Sequence, residues 1–137
     1  MKFLGFDGRE HSLQVTDYII YQDDIRVKSS LHLRAREILI RLFPCDKVLE
    51  EVRLPGSGKE SSLVADFFIP SKCLVVEVQG EQHNKYTSFF HEDKFGFIRA
   101  KMRDSNKKEW CRMNNIDLVE LPYNESDEEW RTKIELR

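Results

Sequence analysis

Two short apolar runs joined by a turn, between Val64 and His83, constrain the fold of this chain more than any other stretch. The runs, VADFFIP and CLVVEVQG, are rich in β-branched and aromatic residues and are too short for typical helices, which predicts two antiparallel strands. Asp66 and Glu77 lie inside these runs, where an unpaired carboxylate is costly to bury. A bound cation would offset that cost, so the hairpin predicts a cation site.

The turn between the two strands decides which side chains share a face of the sheet. Pro70-Ser71 is predicted to form a two-residue connection, with Ile69 opposite Lys72. In that register Asp66 projects from the same face as Glu77, because alternate residues of a strand point to opposite faces.

Asp66, Glu77 and Gln79 form a D-x10-E-x-Q pattern with oxygen-bearing side chains. Oxygen ligands suit hard divalent cations, so Asp66 and Glu77 are predicted to ligate Mg²⁺, with Mn²⁺ as a substitute. Such a cation can orient a water and stabilise charge developing on a phosphate. The spacing alone has low specificity, because many hairpins carry an Asp and a Glu at this distance.

The remaining pattern predicts a single α/β domain with a central mixed sheet flanked by helices, at residues 29–137, preceded by a small β extension at residues 1–28. Helix caps, apolar spacing and prolines set the elements around the hairpin. They are a helix at Leu31–Phe43, a strand at Lys47–Leu54, a long helix from Thr87 or Ser88 to Met113, a strand at Ile116–Leu121 and a helix at Asp127–Leu136. The order after the extension is α β β β α β α.

Glu37, in the first predicted helix, has two interpretations. It is an exposed glutamate paired with Arg34 or Arg41, or a carboxylate aimed across at the strands. The helical wheel by itself favours the exposed pair.

Charge is unevenly distributed in this chain of 137 residues and net charge −2. Residues 94–112 carry a local excess of basic residues, and residues 117–135 an excess of acidic ones. A basic helix followed by an acidic tail fits a surface that contacts phosphates on one side, and equally fits a solvated helix with a solubilising tail.

Phe95 and Phe97, within the basic stretch, are expected in the core rather than stacked on bases.

No apolar run has the length of a membrane span, and the first residues lack the pattern of a signal peptide. We therefore expect a soluble, cytoplasmic protein with no membrane partner. The cysteines, Cys45, Cys73 and Cys111, are odd in number and far apart, which predicts reduced thiols rather than a disulfide framework.

With these motifs in place, residues 28–123 resemble the PD-(D/E)xK nuclease superfamily, and within it the very-short-patch-repair-like group that includes EDxHD homing endonucleases. The resemblance implies a restriction-endonuclease-like αβββαβ core and Mg²⁺-dependent cleavage of DNA. It also places Glu37 where the family has a first-helix glutamate. The resemblance thus favours a carboxylate aimed at the strands over the exposed ion pair that the helical wheel favours. The residues that carry the resemblance are Glu37, Asp66, Glu77, Gln79, His83, Asp104 and Lys107.

Gln79 stands where the superfamily has the lysine of E-x-K. Glutamine can orient a water but cannot supply positive charge to the transition state. Lys85, Lys101 and Lys107 are the candidates to supply that charge. His83 is expected to assist proton transfer or contact phosphate, the alternative being a structural histidine, and Asp104 is expected to support His83 or to form an exposed helix ion pair.

The resulting hypothesis is a metal-dependent DNA endonuclease of the homing or nicking type, from a phage or mobile element. The alternatives are a structure-selective repair or resolving nuclease, and a catalytically inactive DNA-binding module derived from a nuclease. Sequence specificity is expected to depend on a homodimer or an additional partner. The predicted DNA contacts are the basic residues Arg26, Lys28, Lys85, Lys101, Arg103, Lys107 and Lys108.

Overall fold

A computed structural model of the chain describes residues 1–15, 29–58, 62–80 and 94–137, with Lys94 described for its backbone alone. After an N-terminal hairpin, the elements follow the predicted order α β β β α β α. They are β1 (Lys2–Leu4), β2 (Glu10–Ser12), α1 (Ser30–Leu42), β3 (Leu49–Arg53), β4 (Val64–Ile69), β5 (Leu74–Gln79), α2 (Lys94–Met113), β6 (Asp117–Pro122) and α3 (Asp127–Glu135).

The central sheet has four strands in the order β3-β4-β5-β6. The first three strands form an antiparallel meander, whereas β6 runs parallel to β5. A parallel neighbour requires a crossover connection, and α2 lies within it. The predicted mixed sheet flanked by helices is therefore confirmed.

The predicted register of the hairpin is wrong by two residues. One turn of 3₁₀ helix at Pro70–Lys72 is followed by Cys73 in the left-handed region, at φ 48°, so the connection is longer than two residues. Ile69 consequently pairs with Leu74 instead of Lys72. Because the shift is an even number, every side chain keeps its predicted face of the sheet. Continuing this register places Asp66 directly opposite Glu77.

The sheet separates two apolar cores. On one face, α1 and α3 pack against alternate residues of β4 and β5, and on the other face α2 and the N-terminal hairpin do so. The first core includes Ile38, Leu39, Phe67, Ile69, Leu74, Val76, Trp130 and Ile134. The second includes Phe3, Leu13, Phe68, Val75, Trp110 and Cys111.

Local caps explain the helix ends. The Ser29 hydroxyl accepts a hydrogen bond from the His32 amide at the start of α1, and the Ser126 hydroxyl accepts one from Glu129 at the start of α3. After α2, Asn115 adopts a left-handed conformation (φ 54°), which is common just past the C-terminus of a helix. The predicted start of this helix, at Thr87 or Ser88, lies outside the described residues.

The N-terminal hairpin is held on the core at two points. The ring of Phe3 lies 5.7 Å from that of Phe68 and 5.4 Å from that of Trp110, between ring centroids. Asn114, just after α2, accepts a hydrogen bond from the Leu4 amide and donates one to its carbonyl. These contacts attach β1 to the face of the sheet that carries α2.

Phe95 is not a core residue, contrary to expectation, because 70% of it is exposed, while Phe97 is half-buried. Both residues lie in the first turn of α2, beyond the part of the helix that covers the sheet.

No described helix is both long enough and apolar enough to cross a membrane. Within the described residues the cysteines are free thiols, as predicted.

Candidate active site

A cavity of about 250 Å³ lies between the sheet and α2, and it brings together five residues that the sequence singled out. β4, β5 and β6 contribute one wall and α2 the other. The five residues are Asp66, Glu77, Gln79, Asp104 and Lys107; Val78, Leu118 and Glu120 complete the lining.

Asp66 and Glu77 are fixed to each other's strands by hydrogen bonds to the backbone. The Asp66 amide donates to Glu77 Oε2 (3.0 Å), and the Val78 amide donates to Asp66 Oδ2 (2.9 Å). The two carboxylates thereby occupy the positions where the backbone ladder between β4 and β5 ends, after Phe67 and Val76. Both carboxylates line the cavity, and the second Glu77 oxygen, Oε1, is buried.

α2 brings a positive charge to the buried carboxylate. Asp104 and Lys107 are three residues apart, so they share one face of the helix, and Lys107 Nζ lies 2.7 Å from Glu77 Oε1. This is an ion-pair contact: within the described chain, Glu77 Oε1 is buried and lacks a partner in hydrogen-bond geometry. Lys107, predicted as one substitute for the lysine that Gln79 replaces, therefore lies beside Glu77.

The electrostatics of this cavity favour a cation. Burial, followed by the nearby Asp66 carboxylate, raises the pKa of Glu77 to about 8, and the Lys107 ammonium only partly opposes this shift. Burial also raises the pKa of the neighbouring Cys111 thiol to about 12, with the Glu77 charge as a further cause. The thiol therefore stays protonated at neutral pH.

The cavity meets some of the requirements of a divalent metal ion. Two facing carboxylates and a nearby amide fit the oxygen preference of Mg²⁺. No group of three or more His, Cys, Asp or Glu residues in the described chain is arranged to hold a metal ion. Asp66 and Glu77 would thus bind it as a pair, with water completing the coordination, after Lys107 moved off Glu77.

Several predicted site residues lie elsewhere. Glu37 is exposed and pairs with Arg41 (2.6 Å), on a helix that packs against the opposite face of the sheet from the cavity. Among the predicted DNA contacts, the side chains of Lys101, Arg103 and Lys108 are exposed on α2. Arg26, Lys28, His83 and Lys85 lie outside the described residues.

Glu120 is a cavity residue that sequence reasoning missed. It pairs with Glu77 in the parallel ladder, lines the same cavity and lies 3.1 Å from Lys108 Nζ. Its signal was the one that identified Glu77, a single carboxylate inside the apolar run LVELP.

A second buried acid, Glu50 in β3, was also missed. His32 Nε2 and the Arg36 guanidinium both contact its carboxylate, with Arg36 Nε 2.8 Å from Oε2. The His32 ring stacks on Phe67, with 4.5 Å between ring centroids. This cluster lies under α1, on the opposite face of the sheet from the cavity.

Uncharacterized viral proteins are similar to part of this chain. The chain is 38% identical over 72 residues to uncharacterized protein 307L of Invertebrate iridescent virus 6 and 36% identical over 72 residues to protein 033L of Invertebrate iridescent virus 3. It is 34% identical over 74 residues to uncharacterized protein 094L of Frog virus 3. Each match covers 53% of this chain, and 36%, 36% and 46% of the respective relative. No family model and no solved structure matches.

Proposed function

We propose that the chain is a metal-dependent nuclease that hydrolyses phosphodiester bonds of DNA at the cavity between the sheet and α2. The observation that carries the proposal is the convergence of Asp66, Glu77 and Gln79 with Asp104 and Lys107, which arrive from separate elements. The αβββαβ order and the crossover through α2 agree with the restriction-endonuclease-like core that the sequence resembles.

Asp66 and Glu77 would hold Mg²⁺, which when bound would reduce the negative charge on a phosphate and make a water more acidic. Lys107 Nζ, already 2.7 Å from Glu77, is placed to face the charge that develops on the phosphate oxygens. The Gln79 amide, on the rim of the cavity, can orient the attacking water. Attack at phosphorus breaks one phosphorus–oxygen bond, and the departing oxygen takes up a proton.

The direct test is cleavage of plasmid, single-stranded and branched DNA with Mg²⁺ or Mn²⁺, comparing the native chain with Asp66→Ala. Cleavage by the native chain and its loss in the variant are expected. Glu109→Gln is a matched control, because Glu109 is an exposed acid of α2 that pairs with Arg112. Equal cleavage by the native chain and Asp66→Ala, or no cleavage of any of these DNA forms by the native chain, contradicts the proposal.

The same assay separates the two nuclease hypotheses. A homing or nicking enzyme cuts linear duplex DNA at a defined sequence, whereas a structure-selective enzyme prefers branched DNA whatever its sequence. Cleavage positions that follow the branch point when the sequence is permuted assign the second activity.

One observation favours an inactive DNA-binding module as the second candidate. Lys107 already neutralises part of the charge on Glu77, and the described residues supply two facing carboxylates rather than a complete set of metal ligands. For such a module, DNA binding would persist in Asp66→Ala, and Mn²⁺ would not bind to the native chain in calorimetry.

A further inference from the structure

A second groove, of about 650 Å³, runs along the outer edge of β6 between α2 and the C-terminal residues. Among the strands that the structure describes, β6 is an edge strand, since only β5 pairs with it. Lys108 and Arg112 stand on the α2 side of the groove, and Lys133 and Arg137 on the other. Leu118 and Glu120 line both this groove and the cavity described above.

The backbone of β6 offers free hydrogen-bonding groups to this groove. The Asp117 amide donates to the carbonyl of Cys73, just before β5, and the Tyr123 amide to that of Gln79. The alternate residues Leu118 and Glu120 therefore direct their backbone groups away from the sheet. The Glu120 carbonyl accepts a hydrogen bond from Lys133 Nζ (3.2 Å). Within the described part of the chain, the Leu118 amide and carbonyl and the Glu120 amide have no partner.

The composition of the walls defines what fits. The floor is largely apolar, with Cys111, Ile116 and Val119 beside the strand edge, and both rims carry cations. Each cation forms an ion pair with an acid of the chain, and because ion pairs at a surface contribute little, an incoming acidic strand can replace them. An added strand would direct alternate side chains toward the two rims, so acidic side chains on both of its faces would meet a cation. Nucleic acid would satisfy the cations but leave the edge amides and apolar floor without a counterpart.

We propose that this groove binds an extended acidic segment of a partner protein, which adds to the sheet beside β6. Backbone hydrogen bonds to Leu118 and Glu120 supply affinity, and the cations on the two rims select the acidic sequence. Binding of such a segment in the groove requires no hydrolysis at the cavity.

The probe is a fluorescein-labelled octapeptide, EEVVEEVV, which places one glutamate and one valine on each face of every four-residue repeat. Anisotropy is expected to show saturable binding, and the amide signals of Leu118 and Glu120 are expected to shift in NMR spectra. The charge-inverted peptide KKVVKKVV and an EEVVEEVV peptide with N-methyl groups at alternate residues are expected to bind at least ten-fold more weakly.

Two double variants of α2 complete the test. Lys108→Glu with Arg112→Glu reverses two charges on the groove and is expected to weaken peptide binding at least ten-fold. Arg99→Glu with Arg103→Glu reverses two exposed charges outside the groove lining and is expected to leave binding within two-fold. Circular dichroism establishes that both variants fold.

Three results overturn the proposal. One is equal binding of the acidic peptide and its charge-inverted or N-methylated counterpart. Another is self-association of the chain that protects the Leu118 and Glu120 amides without peptide, which assigns the edge to a second copy. The third is displacement of those amide signals by a DNA oligonucleotide but not by the peptide, which assigns the groove to nucleic acid.

Discussion

The two faces of the sheet each bury one glutamate, and the two environments are opposite. Glu50, 4% exposed, has both carboxylate oxygens contacted by His32 and Arg36. Glu77, 8% exposed, faces the Asp66 carboxylate, and the Lys107 ammonium lies 2.7 Å from its Oε1. Similar burial thus accompanies a carboxylate contacted by His32 and Arg36 on one face and, on the other, a pair of carboxylates with Lys107 beside it.

The pKa shifts of the two acids run in opposite directions for this reason. Burial raises the pKa of both, but at Glu50 the hydrogen bonds from His32 and Arg36 outweigh burial, and the pKa is lowered. At Glu77 the neighbouring Asp66 adds to burial, and the pKa is raised to about 8. A lowered pKa indicates an acid that serves the fold, whereas a raised pKa in a cavity is typical of an acid that awaits a ligand.

The largest expected effect is on catalysis at Glu77. Glu77→Gln should reduce the DNA cleavage rate about 1,000-fold, roughly 4 kcal/mol in barrier, because it removes half of the carboxylate pair. Glu50→Gln should leave the rate per folded molecule within about two-fold of the native rate. Single-turnover cleavage, corrected for the folded fraction, measures both. Comparable losses of cleavage rate in the two variants would contradict a catalytic role for Glu77 and a structural role for Glu50.

The next largest effect is on the stability of the fold, and it is expected at Glu50. Glu50→Gln should lower the free energy of unfolding by about 3 kcal/mol, since removing one partner leaves the buried charge of Arg36 uncompensated. Glu77→Gln should change it by less than about 1 kcal/mol, because loss of the Lys107 contact is offset by relief of the repulsion from Asp66. Urea unfolding monitored by tryptophan fluorescence gives both values.

A pH titration should sharpen the assignment of Glu50. Because its pKa is lower in the folded chain than the ordinary value of 4.5, its stabilising contribution is complete above that value. The contribution is lost as the pH falls through the lowered folded pKa. The stability difference between the native chain and Glu50→Gln should therefore be constant between pH 6 and 7 and shrink below about pH 4.5. A difference that instead grows on acidification would contradict this assignment.

The smallest effect is expected at Glu37. Its side chain is 64% exposed and its partner Arg41 lies one turn away, so Glu37→Gln should cost no more than about 0.5 kcal/mol of stability. Cleavage should change less than about two-fold, because the residue lies away from the cavity. A large loss of cleavage in this variant would restore the role that the family resemblance implies.

The site was predictable from sequence where a single strand carried the signal. A carboxylate in an apolar run identified Asp66 and Glu77, and strand alternation placed Gln79 on the same face. Glu120 carried the same signal and needed only the same reasoning. The sequence signal that Glu50 is a buried, paired acid was weaker. Its partners His32 and Arg36 come from a helix, and the local sequence does not encode how that helix lies over the sheet.

The fold was predictable in its order and less so in its connections. Proline correctly marked the turn after Ile69, but the left-handed Cys73 that lengthens the connection has no sequence signature, since this conformation is usually glycine. Phe95 was misplaced because an aromatic residue at the start of a helix is apolar whether or not the helix there covers the sheet. Both errors concern geometry beyond the local pattern.

The crossover between β5 and β6 has a consequence for how the chain folds. The meander β3-β4-β5 contains contacts that are close in sequence, whereas β6 joins β5 only after α2 and the residues preceding it have been placed. Local contacts form fast and distant ones pay a loop-closure cost first, so β6 is expected to dock late. Asp66 and Glu77 would then meet as strand neighbours before Lys107 arrives to compensate their charge. Folding of this chain should accordingly slow as pH rises from the ordinary pKa of Glu77, 4.5, toward its raised pKa of about 8.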